Sequence, residues 1–238
     1  MRIVALATWG VPDLFTALLH FESAAMPVHA VVCANSKIDF SDLTTRRAGA
    51  YFKSKTVNDL AGPPFPFYFV ESHNDSRCHA LLEELNADVL INLGTPNILK
   101  KKTLAIPSVG VLNCHPGLLP QYRGCTCVEW AIYNGDPVGA TCHFMTEGID
   151  DGPIIASAVL PVETGTEYAK IRADMLDHQT ETLILGVRRL AEEGLTKDKL
   201  PQPEEGTYYG VIPDELMPEV IEKTRAGSYR STPFCEPE

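Results

Sequence analysis

Ile3-Val4-Ala5-Leu6-Ala7-Thr8, then Pro12-Asp13-Leu14-Phe15-Thr16-Ala17-Leu18-Leu19-His20-Phe21, then Val28-His29-Ala30-Val31-Val32-Cys33, is the stretch on which the fold turns. The first and third segments are short unbroken apolar runs, the pattern of strands covered on both faces. The middle segment carries Leu14, Phe15, Leu18 and Leu19 at helical spacing between residues 12 and 21. Strand, helix, strand in this order predicts a βαβ unit and a parallel sheet.

The alternation continues along the chain. Residues 35–46 are polar and predict a loop, followed by a helix up to Leu60 that Gly62-Pro63-Pro64 would end. Strands are expected at Phe67 to Val70 and Asp88 to Leu93, with a helix from Asp75 to Leu85 between them. Val109-Gly110-Val111-Leu112 reads as a fifth buried strand, Val128 to Tyr133 as a short helix, and Gly139 to Met145 and Pro153 to Leu160 as two further strands. Glu167 to Leu190 has Ile171, Met175, Leu183, Leu185 and Val187 on a long helical pattern. Beyond Gly194 the texture changes to a charged, proline-containing segment and one short extended run, Thr207 to Pro213. The organisation expected is a main domain over residues 1–194 and a short carboxy-terminal appendage over 195–238.

At 238 residues the chain is long enough to bury roughly 70% of its unfolded surface in a single large α/β domain. Its formal net charge of −11 opposes binding to nucleic acid and to anionic lipid, which depends on clustered Lys and Arg. Residues 1–7 enter a strand directly, without the pattern of a secretory leader, so a soluble cytoplasmic protein is expected. Seven cysteines (Cys33, Cys78, Cys114, Cys125, Cys127, Cys142 and Cys235) show no paired Cys-x-x-Cys spacing, so no metal site is expected. They read as small hydrophobes in a reducing compartment, with Cys125 and Cys127 the best placed to line a cleft.

Asn113 and His115 end the fifth strand, and residues i and i+2 of a strand face the same side, so the two side chains should point together out of its end. Asp150 follows in Glu147-Gly148-Ile149-Asp150. Singly, each residue reads as a turn former or a satisfied polar group. Together they supply what acyl transfer to an amine needs: an amide donor for a developing oxyanion, an imidazole titrating near neutrality, and a carboxylate to orient that imidazole and favour its charged form.

The surroundings of these residues are as particular as the residues themselves. They are Asn113-Cys114-His115-Pro116-Gly117-Leu118-Leu119-Pro120-Gln121-Tyr122-Arg123-Gly124, then Trp130-Ala131-Ile132, then His143-Phe144-Met145-Thr146-Glu147-Gly148-Ile149-Asp150-Asp151-Gly152-Pro153. This ordered set resembles the 10-formyltetrahydrofolate-dependent formyltransferases, which include glycinamide ribonucleotide transformylase, methionyl-tRNA formyltransferase and the nucleotide-sugar N-formyltransferases. The resemblance covers about residues 1 to 160. It implies a Rossmann-like, doubly wound, mostly parallel sheet of about seven strands. It also implies catalysis by Asn113, His115 and Asp150, with Asp150 rather than Asp151 at the acidic position.

On the same register the resemblance places the folate along Pro96, Asn97, Ile98, Leu99 and Leu104 and along Thr146, Glu147, Gly148 and Ile149. Glycinamide ribonucleotide transformylases carry a Gly-rich phosphate loop after the first strand, and this chain has Thr8-Trp9-Gly10-Val11-Pro12 there. Methionyl-tRNA formyltransferases are longer. The resemblance is therefore nearest to the sugar N-formyltransferases, with a nucleotide-linked amino sugar as acceptor and Trp9, Tyr122 and Arg123 as candidate contacts. Another small amine as acceptor, or hydrolysis of formyltetrahydrofolate, stays open. Tyr208, Tyr209 and Val211 are candidates for packing against a second copy in a homodimer.

Overall fold

The computed structural model describes residues 1–36, 46–60, 65–201, 203 and 205–232. Its elements are β1 (Ile3–Thr8), α1 (Leu14–Ser23), β2 (Val28–Ala34), β3 (Phe67–Val70), α2 (Ser76–Leu85), β4 (Val89–Leu93), α3 (Lys101–Leu104), β5 (Gly110–His115), β6 (Tyr122–Gly124), α4 (Cys127–Asn134), β7 (Gly139–Phe144), β8 (Ile154–Val159), α5 (Tyr168–Glu193), β9 (Thr207–Tyr209) and α6 (Met217–Arg225).

Seven strands form one sheet in the order β3-β2-β1-β4-β5-β7-β8. The first five are mutually parallel, while β7 runs antiparallel to β5 and β8 antiparallel to β7. This is the expected α/β, doubly wound, mostly parallel architecture. The period of two is visible in β1: Val4 and Leu6 enter one core layer with Leu82, Leu90 and Leu99, while Ile3, Ala5 and Ala7 enter the other with Leu14, Leu18 and Phe21. Helices α1 and α5 cover the second layer, so both faces of the sheet are buried. The winding reverses between β1 and β4, and there the carboxyl ends of adjacent strands diverge into a crevice.

The helix expected up to Leu60 is formed only over residues 46–48 and does not continue as an α-helix beyond them. Single 3-10 turns occupy Gly49–Tyr51 and Val57–Asp59, and the second is closed by a capping box in which Thr56 and Asp59 satisfy each other's end. Residues 53–59 are exposed, so no apolar face drives a longer helix. The loop read at residues 35–46 and the break at Gly62-Pro63-Pro64 fall mostly or wholly outside the described residues. Asp75 does start α2, its Oδ1 accepting the Cys78 N–H at 2.7 Å.

Three of these elements are additional to the reading of the sequence: the one-turn helix α3, β6 and α6. Tyr122–Gly124 pairs in parallel with Thr207–Tyr209, and Met217–Arg225 is a helix that buries Val220 and packs on α4. Tyr209 stacks on Tyr122 with ring centroids 5.1 Å apart, and the Trp130 indole donates to the Gly210 carbonyl at 2.9 Å. The strand that follows the Asn-x-His segment is thus held by residues 207–210 rather than by the central sheet.

Candidate active site

The antiparallel pairing of β5 with β7 sets His143 directly opposite Asn113 and Thr141 opposite His115. The loop after β7 brings Asp150 back over the same face. Asp150 Oδ2 lies 3.3 Å from His115 Nδ1, and its Oδ1 lies 3.6 Å from His143 Nε2. Asn113 Nδ2 donates to His143 Nε2 at 3.3 Å. Asn113, His115 and Asp150 therefore meet at one place, at the carboxyl end of β5, and His143 joins them.

The tautomers follow from fixed carbonyls, which can only accept. His115 Nε2 sits 2.8 Å from the Tyr122 carbonyl and His143 Nδ1 sits 3.0 Å from the Phe144 carbonyl, so each of these nitrogens carries a proton. The remaining nitrogens, His115 Nδ1 and His143 Nε2, both face the Asp150 carboxylate. Burial pushes the His115 pKa down; Asp150 pulls it back up, without reversing the direction. Asp150 thus favours the charged imidazole as expected, but burial outweighs it and holds the His115 pKa below its usual value. Burial acts on Asp150 in the opposite sense, but His143, His115 and the Gly124 N–H together hold its carboxyl below the usual range.

Backbone geometry builds this arrangement. Asp150 adopts φ 49°, a left-handed conformation that Asp tolerates better than most side chains, and accepts the Gly124 N–H at 3.0 Å. Gly124 has φ 98°, and a Cβ there would lie 2.3 Å from the Tyr209 carbonyl, so only glycine lets β6 lie against β9 and still reach Asp150. At Gly117 a Cβ would stand 2.7 Å from both His115 Nε2 and the Tyr122 oxygen. The Pro-Gly after His115 makes room for the bond that fixes the imidazole.

Two clefts open from Asn113. The first, about 320 Å³, is lined by Asn92, Pro96, Asn97 and Ile98 on one side and by His143, Thr146, Gly148, Ile149 and Asp150 on the other. The second, about 250 Å³, runs between α1 and α5 and is walled by Asp13, Asn92, Gly94, Gln179 and Thr180 with apolar Leu14 and Leu176. Among the described residues, only Asn92 and Asn113 line both.

Of the residues read as folate contacts, Pro96, Asn97, Thr146, Gly148 and Ile149 line the first cleft. Leu99 does not, being buried in the core beneath the sheet, and Leu104 packs against that core. Glu147 is exposed and does not line the cleft. Among the substrate candidates, the Tyr122 ring is turned onto Tyr209 and its hydroxyl bonds Asp136, so its part in this centre is its carbonyl. Arg123 donates from Nη2 to the Ile149 carbonyl at 2.7 Å, bracing the loop before Asp150. Trp9 presents a half-exposed indole beside Phe69, 5.1 Å away between ring centroids. Cys125 is exposed and Cys127 buried.

Two polar residues of the centre escaped the sequence reading. His143 stood inside the motif, but only the register across β5 and β7 places it on Asn113. Asn92 was taken as part of a buried strand, and its polarity in an apolar run was the available signal.

The family described as "Formyl transferase" matches residues 1–187. The chain belongs to the formyl transferase family. Among curated members, the methionyl-tRNA formyltransferase of Agathobacter rectalis is 34% identical over 139 residues, which are 57% of this chain and 44% of that protein. The chain spans about half the length of such formyl transferases. In fold, it matches a phosphoribosylglycinamide formyltransferase from Anaplasma phagocytophilum with a TM-score of 0.62 at 21% identity, over 88% of this chain and 98% of the other. It matches a sugar N-formyltransferase from a Shewanella species with a TM-score of 0.57 at 20% identity, over 88% of this chain and 77% of the other. No helix among the described residues of this formyl transferase is long and apolar enough to cross a membrane.

Proposed function

We propose that this chain transfers a formyl group from 10-formyltetrahydrofolate to the amino group of a small acceptor, a nucleotide-linked amino sugar. The observation that carries the reading is the placement of Asn113, with His115, His143 and Asp150 around it, at the junction of two clefts. The first cleft fits a pterin: Ile98 is 67% and Ile149 43% exposed, two apolar side chains flanking backbone groups and Asn97. Bound there, 10-formyltetrahydrofolate supplies an electrophilic formyl carbon and, as leaving group, an amine that must gain a proton.

The chain's residues do the rest. Asn113 Nδ2 donates a hydrogen bond toward the oxygen on which negative charge grows. His115, neutral and basic at Nδ1, takes the proton that the acceptor nitrogen loses as its bond to the formyl carbon forms, and returns one as the carbon–nitrogen bond to the folate breaks. Asp150 steadies the imidazole while it is charged. The acceptor enters from the second cleft, whose Asp13, Asn92, Gln179 and Thr180 suit hydroxyl groups, and the exposed Trp9 face suits a base.

A second reading, another small amine as acceptor, is favoured by one feature: among the described residues no Lys or Arg lines that second cleft, where a nucleotide's phosphates would need one. Thermal stabilisation by UDP-, GDP- and dTDP-linked sugars, each with and without a folate analogue, separates the two. One nucleotide sugar whose effect grows with folate present supports the first reading. Stabilisation by the folate analogue alone sinks it and moves the weight to the second.

A further inference from the structure

Asn113 can act as an oxyanion donor only if its NH₂, not its carbonyl, faces the centre, and the two ends of a carboxamide have the same shape. Something must decide between them. Across the parallel pairing of β4 with β5, Asn92 lies one step past Ile91, the partner of Leu112, and so beside Asn113. Its Oδ1 accepts the N–H of Gly94 at 3.1 Å and of Thr95 at 2.9 Å, the first turn after β4. Backbone N–H groups only donate, so this end of Asn92 must be the oxygen. Its Nδ2 is therefore directed sideways, and it donates to Asn113 Oδ1 at 2.9 Å. With that oxygen occupied, Asn113 turns its Nδ2 to the side of His143 and Asp150. On that side the contact with His143 Nε2 is the longer of the two, 3.3 Å against 2.9 Å to Asn92, so Asn92 has the stronger hold on the amide.

We infer that Asn92 is a positioning residue: the turn after β4 sets its amide, and its amide sets the direction of Asn113, so that a donor rather than an acceptor faces the reacting formyl oxygen. The inference rests on the proposed formyl transfer, yet its structural half stands without it. A polar residue in the otherwise apolar run Val89-Leu90-Ile91, facing the point where the two clefts meet, then has a physical reason.

Asn92→Asp is the test. The carboxylate keeps the shape and both acceptor contacts to Gly94 and Thr95, but it offers Asn113 an acceptor instead of a donor, and Asn113 must turn over to meet it. In the unliganded protein, the side-chain ¹H–¹⁵N signals of Asn113, assigned by their loss in Asn113→Ala, should move as the NH₂ leaves His143 for the new carboxylate. Turnover of 10-formyltetrahydrofolate should fall by about 10²-fold, the cost of one lost oxyanion donor, with KM for the folate changed less than threefold. Asn92→Asp should cost nothing further in an Asn113→Ala background, since the two act through one group. Unmoved Asn113 signals, or the same loss in both backgrounds, overturns the inference, the latter assigning the effect to charge alone. If Asn113→Ala itself keeps full turnover, the proposed function fails at Asn113, while the signals still decide whether Asn92 sets the amide. Should Asn92→Asp not fold, Asn92→Ser, which leaves Asn113 free to turn either way, should broaden or double the Asn113 signals, and a single unmoved pair refutes the role.

Discussion

Adding one methyl group at Gly117 should displace the His115 imidazole. The Cβ of Gly117→Ala would lie 2.7 Å from His115 Nε2 and 2.7 Å from the Tyr122 carbonyl oxygen, between two atoms that are themselves 2.8 Å apart in a hydrogen bond. Ordinary contacts need about 3.5 Å, so each neighbour must retreat by close to 1 Å, and a bond at 2.8 Å does not survive that. Two costs follow. A buried carbonyl loses its partner and the packed site is overfilled, together about 2–3 kcal/mol, which lowers Tm by about 4–12 °C for a chain of this size. Catalysis loses more, because a catalytic group misplaced by about 1 Å costs on the order of 10²-fold. Scanning calorimetry and steady-state turnover measure the two effects separately. Gly117 does not adopt a left-handed φ, so the strain is steric; deleting the ring removes its His115 half and leaves the contact with the Tyr122 carbonyl oxygen. Gly117→Ala should therefore cost clearly less stability in a His115→Ala background than in the wild type. An equal loss of Tm in both backgrounds would refute the steric reasoning.

His115→Ala itself should lower turnover by about 10²-fold or more with folate binding retained, as read by folate-analogue stabilisation. Because burial depresses the His115 pKa, the acid limb of kcat/KM should fall below about 6.5, and Asp150→Asn, which removes the group that raises it, should move that limb lower still; a limb above 6.5 counts against a buried neutral base. Glu129 is buried beside Arg172, with Nε 3.6 Å from Oε1, and although burial opposes its charge, Arg172 and the Tyr168 hydroxyl hold its carboxyl below the usual range. Its contribution is then present above about pH 4.3 and lost as pH falls through the folded value, so Glu129→Gln should flatten acid unfolding in that window and cost about 3 kcal/mol at pH 7. Adjacent residues should part ways: Leu99→Ala should cost about 2–5 kcal/mol of stability, and Ile98→Ala should leave Tm within a degree or two while weakening folate binding.

The sheet was legible because β1, β2, β4 and β5 are buried on both faces and spell that out as unbroken apolar runs. Asp75 announced the start of α2 in the same direct way, through the geometry of its own cap. Residues 46–60 misled because a few apolar side chains at loose helical spacing carry no information on whether a core exists to receive them. The carboxy-terminal helix was hidden for the opposite reason. It buries only Val220 and Thr224, and the rest of its surface reads as a charged solvent face. Within the site, what lay close in sequence or inside one motif was readable. The register across strands was not, and register is what brings His143 to Asn113, Asn92 to Asn113 and β9 to β6. Leu99 was misassigned because an apolar residue beside a cleft and one beneath it look alike in a string of letters.

Proton inventory ties these pieces to one design. Tyr122 and Phe144 each commit one imidazole nitrogen to a carbonyl, leaving His115 Nδ1 and His143 Nε2 to share the space around Asp150. The Asp150 carboxylate beside His115 Nδ1 steadies a proton held there, while burial and the neighbouring His143 oppose its charge. Formyl transfer from one amine to another needs such a store, because a proton leaves the acceptor before the departing nitrogen has taken one up. The store must also be dry, or water would compete for the formyl carbon, and dryness is what depresses the His115 pKa. Burial and basicity are thus two readings of the same wall of side chains, and any substitution that wets the junction of the two clefts should raise the His115 pKa and the rate of formyl loss to water together.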